Sequence, residues 1–287
     1  MRILLIICFF FICRLSVAQG YEYSDEYVGR LDTAFLRSVV NIKSKAGTGT
    51  GFIVETEKRQ FLVTNKHVAG TFAFSKRDTL HDSIGVYFYN QKADSSIFKI
   101  LTIKMNGKLK DNVRPHRSEY IDIVAIELTD LFKSDSLLGK YSIPDTHLIR
   151  LAKIPAHVGV GFGSHVFAIG YPANLRFATT NFPIAKTGVV ASALNGNLDI
   201  LVEVEKGKAP LRFNKMFFMV DGLIIGGNSG GPIVAPREFR FLVNKDRVFD
   251  SMIYSEQNPV LGIVSFGWEN TGLTVIYPCD YILDLIQ

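Results

Sequence analysis

Hydrophobic and polar residues alternate in short stretches along most of the chain, with turn-forming residues between the stretches. The alternation is partial in Ile121-Asp122-Ile123-Val124-Ala125-Ile126 and in Phe98-Lys99-Ile100-Leu101, a two-residue period that indicates β-strands. The pattern predicts strands over residues 38–44, 51–55, 61–64, 85–89, 98–105 and 121–127. A second series follows over 166–170, 187–194, 200–204, 216–221, 231–234, 260–266 and 273–277. Only residues 281–286 have helical spacing, with Tyr281, Ile282, Leu285 and Ile286 on one face. Short strands at steady spacing predict an all-β chain of barrels or sandwiches, ending in a short helix. No period of about 20–50 residues recurs, which excludes solenoids and propellers.

Residues 134–163 carry Gly139, Pro144, Pro155, Gly159, Gly161 and Gly163 and mark the best internal boundary. The expected division is an N-terminal arm over 19–35, a first β unit over 36–140, a linker over 141–163 and a second β unit over 164–287. Gly159-Val160-Gly161-Phe162-Gly163 has the look of a phosphate-binding glycine loop. It leads into a strand rather than opening a helix, so it reads as a turn.

The 287 residues are 47% hydrophobic and 21% charged, with 24 Gly, 10 Pro, 22 Phe and 11 Tyr. That composition excludes disorder, collagen-like repeats and disulfide-dense miniproteins. At the N-terminus Arg2 precedes an apolar run over 3–13, and Ser16 and Ala18 are small residues two apart. This predicts a secretory signal peptide over residues 1–18, with export to a bacterial periplasm or the medium. An uncleaved anchor is the alternative, but the run is shorter than the about 20 residues a spanning helix needs. Cleavage after Ala18 removes Arg2, Arg14 and no acid, taking the net charge from +5 to +3. It also removes Cys8 and Cys13, and Cys279 alone cannot form an internal disulfide. Cys279 has no second ligand at metal spacing and reads as a buried, inert thiol.

The candidate chemistry starts at Gly226-Gly227-Asn228-Ser229-Gly230-Gly231-Pro232. Glycines around a serine allow a sharp bend, close approach of a substrate, and convergence of the Gly227 and Ser229 N–H groups on one oxyanion. The same residues would also suit a glycine-rich turn bearing a surface serine. Gly227-x-Ser229-x-Gly231 satisfies the nucleophile-elbow pattern, but that fold needs a histidine after the serine and the last here is His165. A base must come from upstream, among His67, His81, His116, His147, His157 and His165. His67 stands out because it ends the apolar strand Phe61-Leu62-Val63-Thr64. Asp122 is an acid inside an apolar strand, an expensive position for a charge without partners.

Together these segments resemble the trypsin-like (chymotrypsin-fold) serine peptidases, in the order His, Asp, Ser. The bacterial HtrA/Deg-like branch is the nearest in motif. The resemblance rests on Gly-Thr-Gly-Phe at 49–52, Thr-Asn-Lys-His-Val at 64–68, Asp-Ile-Val-Ala-Ile at 122–126 and Gly-Asn-Ser-Gly-Gly-Pro at 227–232, with Ala-Ile-Gly-Tyr-Pro at 168–172 and Leu-Gly-Ile-Val-Ser-Phe-Gly at 261–267. It implies two six-stranded antiparallel β-barrels with the site between them. It implies Ser229 as nucleophile, His67 as general base, Asp122 as its orienting acid, and Gly227 and Ser229 N–H groups as the oxyanion hole. Ser265, Phe266 and Gly267 would bind the substrate backbone, with Ser265 near the Asp122 carboxylate. Leu223, six before the serine, would sit at the pocket base and favour an apolar residue before the cleaved bond.

The implied activity is a cofactor-free, metal-free serine endopeptidase acting on proteins or peptides. A catalytically silent binding protein and an esterase are the alternatives. Asn228 stands where pancreatic-type zymogens have Asp, and no Ile-Val-Gly-Gly activation sequence is present, so no zymogen cleavage of that type is expected. No PDZ domain follows in the sequence, so regulation by one is not expected. Lys104, Lys108, Lys110, Arg114 and Arg117 read as a solvated charged loop, with anion binding as the alternative. Nucleic-acid binding is not supported, nor is a stable membrane span after cleavage.

Overall fold

In the computed structural model, the residues described are 31–73, 76–89, 97–135, 138, 140–151, 159–176, 180–202, 211–237, 239–243, 249–254, 257–268 and 271–287. The expected signal peptide, residues 1–18, lies outside them, as does most of the expected N-terminal arm. What is described of that arm is held: the Asp32 N–H donates to Asn258 Oδ1 at 2.9 Å and Arg237 pairs with its carboxylate at 2.6 Å.

The partial alternation around Ile121–Ile126 has a simple cause. The strands Gln60–Thr64 and Val124–Glu127 bury both faces, but in different cores. Phe61, Val63, Ile121, Ile123 and Ala125 join Ile169, Tyr171, Val234, Ile263 and Tyr277 in a cluster between the two sheets. Their neighbours Leu62, Val124 and Ile126 point into the first sheet's own core with Ile42, Ile53 and Val86. A third core, with Val166, Ala168, Phe218, Ile233 and Leu261, fills the second barrel. A two-residue side-chain period thus distributes one strand over two apolar environments.

The second barrel closes with six antiparallel strands, as expected: His165–Gly170, Ile184–Val190, Phe218–Asp221, Leu273–Pro278, Val260–Gly267 and Pro232–Val234, which returns to the first. The first does not close among the described residues. It is a curved eight-stranded sheet in the order Val113–Pro115, Val124–Glu127, Gln60–Thr64, Gly47–Glu55, Val39–Ser44, Ser83–Phe88, Ile97–Thr102, with Ile143–Pro144 pairing in parallel beside Val54 and Glu55. The expected single strand over 98–105 is interrupted. Residues 104–109 form their own hairpin, Lys104–Met105 against Lys108–Leu109, around Asn106 (φ 51°) and Gly107 (φ 79°). Positive φ at both positions is the type I′ turn that Asn-Gly favours. A recess of about 300 Å³ lies beside the edge strand Ile97–Thr102, lined by Ile100, Leu101, Asn112 and Leu128.

Among the described residues, three short α-helices accompany the expected C-terminal one, Asp280–Ile286: Thr33–Arg37, Lys66–Ala69 and Thr129–Ser134. The strand expected over 121–127 begins only at Val124. The 141–163 segment contributes Ile143–Pro144 to the first sheet and, through Leu148, a bridge to Val260 of the second. Among the described residues no helix is long and apolar enough to cross a membrane.

Candidate active site

Strand register brings His67 and Asp122 together. Thr64, the last residue of its strand, pairs with Val124, the first of the antiparallel neighbour. The chain leaving Thr64 and the chain entering Val124 therefore occupy the same sheet edge. Asn65 turns the chain into the single helical turn Lys66–Ala69, and its side chain donates to the Asp122 carbonyl at 2.7 Å rather than capping that turn.

Asp122 is almost fully buried and receives three donors. His67 Nδ1 lies 2.5 Å from Oδ2, the His67 backbone N–H is 3.0 Å from Oδ1, and Ser265 Oγ donates to Oδ2 at 3.2 Å. A buried carboxylate is tolerable only with such partners. With Nδ1–H held by the acid, Nε2 is the basic nitrogen of the neutral ring. Burial of the imidazole works against its charged form, while the Asp122 charge and hydrogen bond favour it. The balance lifts its pKa above the ordinary 6.5.

Ser265 reaches the acid because its strand bulges there. Val264 pairs with Ile276 and Phe266 with Val275, so Ser265 is the extra residue, and a bulge re-aims the side chain it carries. The Ser265 carbonyl accepts from Ser229 Oγ at 2.9 Å. Among the described residues the serine hydroxyl makes this bond and none to His67.

The loop bearing Ser229 is pinned at several backbone atoms. The Gly226 carbonyl accepts from Ala173 N, the Ser229 carbonyl from Thr50 N and Val264 N–H bonds the Gly231 carbonyl, all at 2.8 Å. The Gly227 carbonyl accepts from Thr50 Oγ1 at 2.6 Å. A trans peptide points its N–H opposite its C=O, so the Gly227 N–H faces away from Ala173. Neither it nor the Ser229 N–H has an acceptor among the described residues. Gly227 and Gly230 adopt φ of +97° and +87°, and a Cβ on either would collide with backbone, at the Tyr171 and Thr50 carbonyls respectively. Here glycine is required twice over.

The sequence of the domain matches the family model described as "Trypsin-like peptidase domain" over residues 49–242, more than half of the chain. The chain belongs to the trypsin-like peptidase family. Its class is that of the serine proteases, which act on protein substrates. No curated protein matches the sequence. Among solved structures it is similar to the active form of the Rv3671c protease from M. tuberculosis, at 15% identity and a TM-score of 0.49, over 88% of this chain and 81% of that one. It is also similar to the MamO protease domain from Magnetospirillum magneticum, at 16% and 0.46, over 88% and 98%. The HtrA-type protease AlgW is a third, at 17% and 0.48, over 89% of this chain and 60% of AlgW.

Of the residues singled out in this trypsin-like chain, His67, Asp122, Ser265 and Ser229 are joined by hydrogen bonds, and Gly227 lies two residues before Ser229 in the same loop. Gly267 and Leu223 line a recess of about 360 Å³ with Gly222, Ile224, Trp268 and Leu273. Leu223 is 73% exposed, so it forms an outer wall of the recess rather than a buried floor. Phe266 packs beside Trp268, ring centroids 6.4 Å apart. Trp268 and Thr50 went unnoticed in the sequence. The chain's one tryptophan, just beyond the 261–267 motif, was the available signal for the first. Thr50 lay inside the Gly-Thr-Gly-Phe motif, but its bonds to the serine loop are tertiary. His157 lies outside the described residues. Cys279 is buried and free; its burial and the neighbouring Asp280 push the thiol well above its ordinary value, which keeps it unreactive. Arg114 is not a solvated loop charge but pairs with Glu127 at 2.8 Å.

Proposed function

We propose that the chain is a serine endopeptidase working through Ser229, His67 and Asp122 by way of an acyl-enzyme. The observation that carries the reading is the 2.5 Å bond between His67 Nδ1 and buried Asp122, which Ser265 links on to Ser229. In this reading His67 Nε2 takes the Ser229 proton as Oγ attacks the scissile carbonyl. The Gly227 and Ser229 N–H groups hold the oxyanion, and the imidazolium then protonates the leaving amine. Water repeats the sequence to release the acid and restore the serine.

A bond between Ser229 Oγ and the Ser265 carbonyl is the resting arrangement; rotation about the Cα–Cβ bond brings the hydroxyl to His67. That same bond is the observation favouring the second reading, a protease-like binding protein whose serine stays turned away. An apolar preference before the cleaved bond is supported by Leu223, Ile224 and Trp268 around the recess. Export is supported by the character of residues 1–18, and a bacterial periplasm or the medium is the proposed location.

The deciding experiment is intact mass after exposure to a fluorophosphonate, beside Ser229→Ala. This probe needs nucleophile, base and oxyanion hole but little substrate recognition. One adduct, lost in Ser229→Ala, is the expected result. A folded protein that takes no adduct would favour the binding-protein reading.

A further inference from the structure

Thr50 belongs to the first sheet, yet most of its bonds go to the second barrel. It is fully buried in the strand Gly47–Glu55. Its hydroxyl donates to the Gly227 carbonyl at 2.6 Å and accepts from the Tyr171 N–H at 3.1 Å. Its own N–H donates to the Ser229 carbonyl at 2.8 Å. Its carbonyl accepts from Thr64 Oγ1 at 2.7 Å, three residues before His67.

We propose that the Thr50 hydroxyl is a positioning group for the oxyanion hole, fixing the orientation of the Gly227 N–H from across the barrel interface. This inference rests on the peptidase reading above. Gly227, like the other glycines of the loop, offers little conformational resistance of its own, since glycine populates both signs of φ readily. Its N–H lies in the Gly226–Gly227 peptide plane, which the Ala173 N–H holds at the Gly226 carbonyl. The next plane is held by the Thr50 hydroxyl on the Gly227 carbonyl and by the Asn228 N–H on the Ile225 carbonyl at 3.2 Å.

The Ala173 bond comes from the same barrel as the loop. The Thr50 hydroxyl ties both anchors to the other barrel, since it accepts from the Tyr171 N–H, two residues before Ala173, while donating to the Gly227 carbonyl. The Thr50 carbonyl is bonded by Thr64 of the strand that leads into His67. Without the hydroxyl the Ala173 segment and the Gly227 carbonyl lose their common anchor, and the N–H then spends time away from the oxyanion. The Thr50 backbone bond to Ser229 survives any side-chain change, so the serine itself stays in place. The loss therefore falls on stabilisation of the tetrahedral intermediate and not on substrate binding. Removing one oxyanion donor outright costs about 10²–10³ in kcat. A donor present but misaimed part of the time should cost less, about 10–100-fold.

The test uses the full chain with a peptide-ester or peptide-amide substrate. Thr50→Val removes the hydroxyl at constant volume, Thr50→Ala removes it without crowding, and Thr50→Ser restores it. Ser38→Ala, which deletes a buried hydroxyl bonded to the Phe35 carbonyl at 2.6 Å away from the loop, controls for general destabilisation. For Thr50→Val and Thr50→Ala the expected results are kcat and fluorophosphonate inactivation both lowered about 10–100-fold, with KM within about threefold. A peptide boronate, which forms a tetrahedral adduct, should weaken by the same factor as kcat/KM. Thr50→Ser and Ser38→Ala should match the wild type in all four readouts. If the wild type reacts and Thr50→Ala reacts equally fast, or if KM rises while kcat holds, the positioning role is wrong. If the wild type takes no fluorophosphonate adduct, it is the peptidase reading that has failed, and Thr50 positions no oxyanion hole.

Discussion

At the scale of single residues, His67 and Asp122 act as one unit. In the peptidase reading the imidazole must be neutral to accept the serine proton. Because Asp122 lifts its pKa above 6.5, the acidic limb of kcat/KM against pH is expected to have its midpoint above 6.5. In Asp122→Asn the charge that favours the imidazolium is gone, so the midpoint should move to lower pH. In trypsin-like enzymes this substitution lowers kcat about 10⁴-fold, and a similar loss is expected here. A pH–rate profile of both forms checks it; an unmoved midpoint would mean that another group titrates. For stability the sign is opposite to that for activity. The pair lends its full stability below the unfolded value of 6.5, and that contribution fades as pH rises through the raised folded value. The residue scale was also the most legible in the sequence. Histidine at a strand end, an acid in an apolar run and serine among glycines are local signals.

At the scale of elements, the C-terminal helix shows how a second-barrel segment is fastened to the first sheet. Its last carbonyls have no partners within the helix. Arg59 donates to the Ile286 carbonyl at 3.2 Å and Arg114 to that of Leu285 at 3.3 Å. Both guanidiniums lie over the Phe61 ring, at 5.3 and 5.1 Å, and share Glu127. Arg59→Ala with Arg114→Ala is expected to cost about 2 kcal/mol in urea unfolding. Amide exchange in Asp280–Ile286 should accelerate more than elsewhere. Equal acceleration across the chain would instead point to a global effect. Elements were harder to read than residues. The helices Thr33–Arg37, Lys66–Ala69 and Thr129–Ser134 are too short to develop an apolar period. Their signals were single residues, such as Asp32, which caps the first helix by accepting from the Ala34 N–H at 2.8 Å.

At the scale of the whole molecule, the two sheets share a buried polar seam. Tyr171 of the second barrel is fully buried, and its hydroxyl lies 3.0 Å from the Val39 carbonyl and 2.8 Å from that of Asn181. Asn181 Nδ2 donates to the same hydroxyl at 3.0 Å and to the Tyr87 carbonyl at 2.6 Å. Burial raises the phenol well above its ordinary value, so it stays neutral and keeps its proton for donation. Tyr171→Phe leaves these groups short of a partner and is expected to cost about 1–3 kcal/mol. A single cooperative transition should persist in denaturant unfolding, because the apolar cluster between the sheets remains. Unchanged stability would show that the seam is not held by this hydroxyl.

The sequence by itself determined the class of the chain and its mostly β character, and it singled out the His67, Asp122 and Ser229 that the proposed mechanism uses, because those depend on short-range pattern and on residue chemistry. It did not determine that the first sheet does not close among the described residues, since closure depends on whether two edges distant in sequence meet. Nor did it reveal the seam through Thr50 and Tyr171, whose partners on the opposite sheet lie more than a hundred residues away. Side-chain hydroxyls facing a distant backbone leave no periodic trace. Only the tertiary structure decided which Thr-Gly motif touches the serine loop, and so which residue of one barrel governs the geometry of the other.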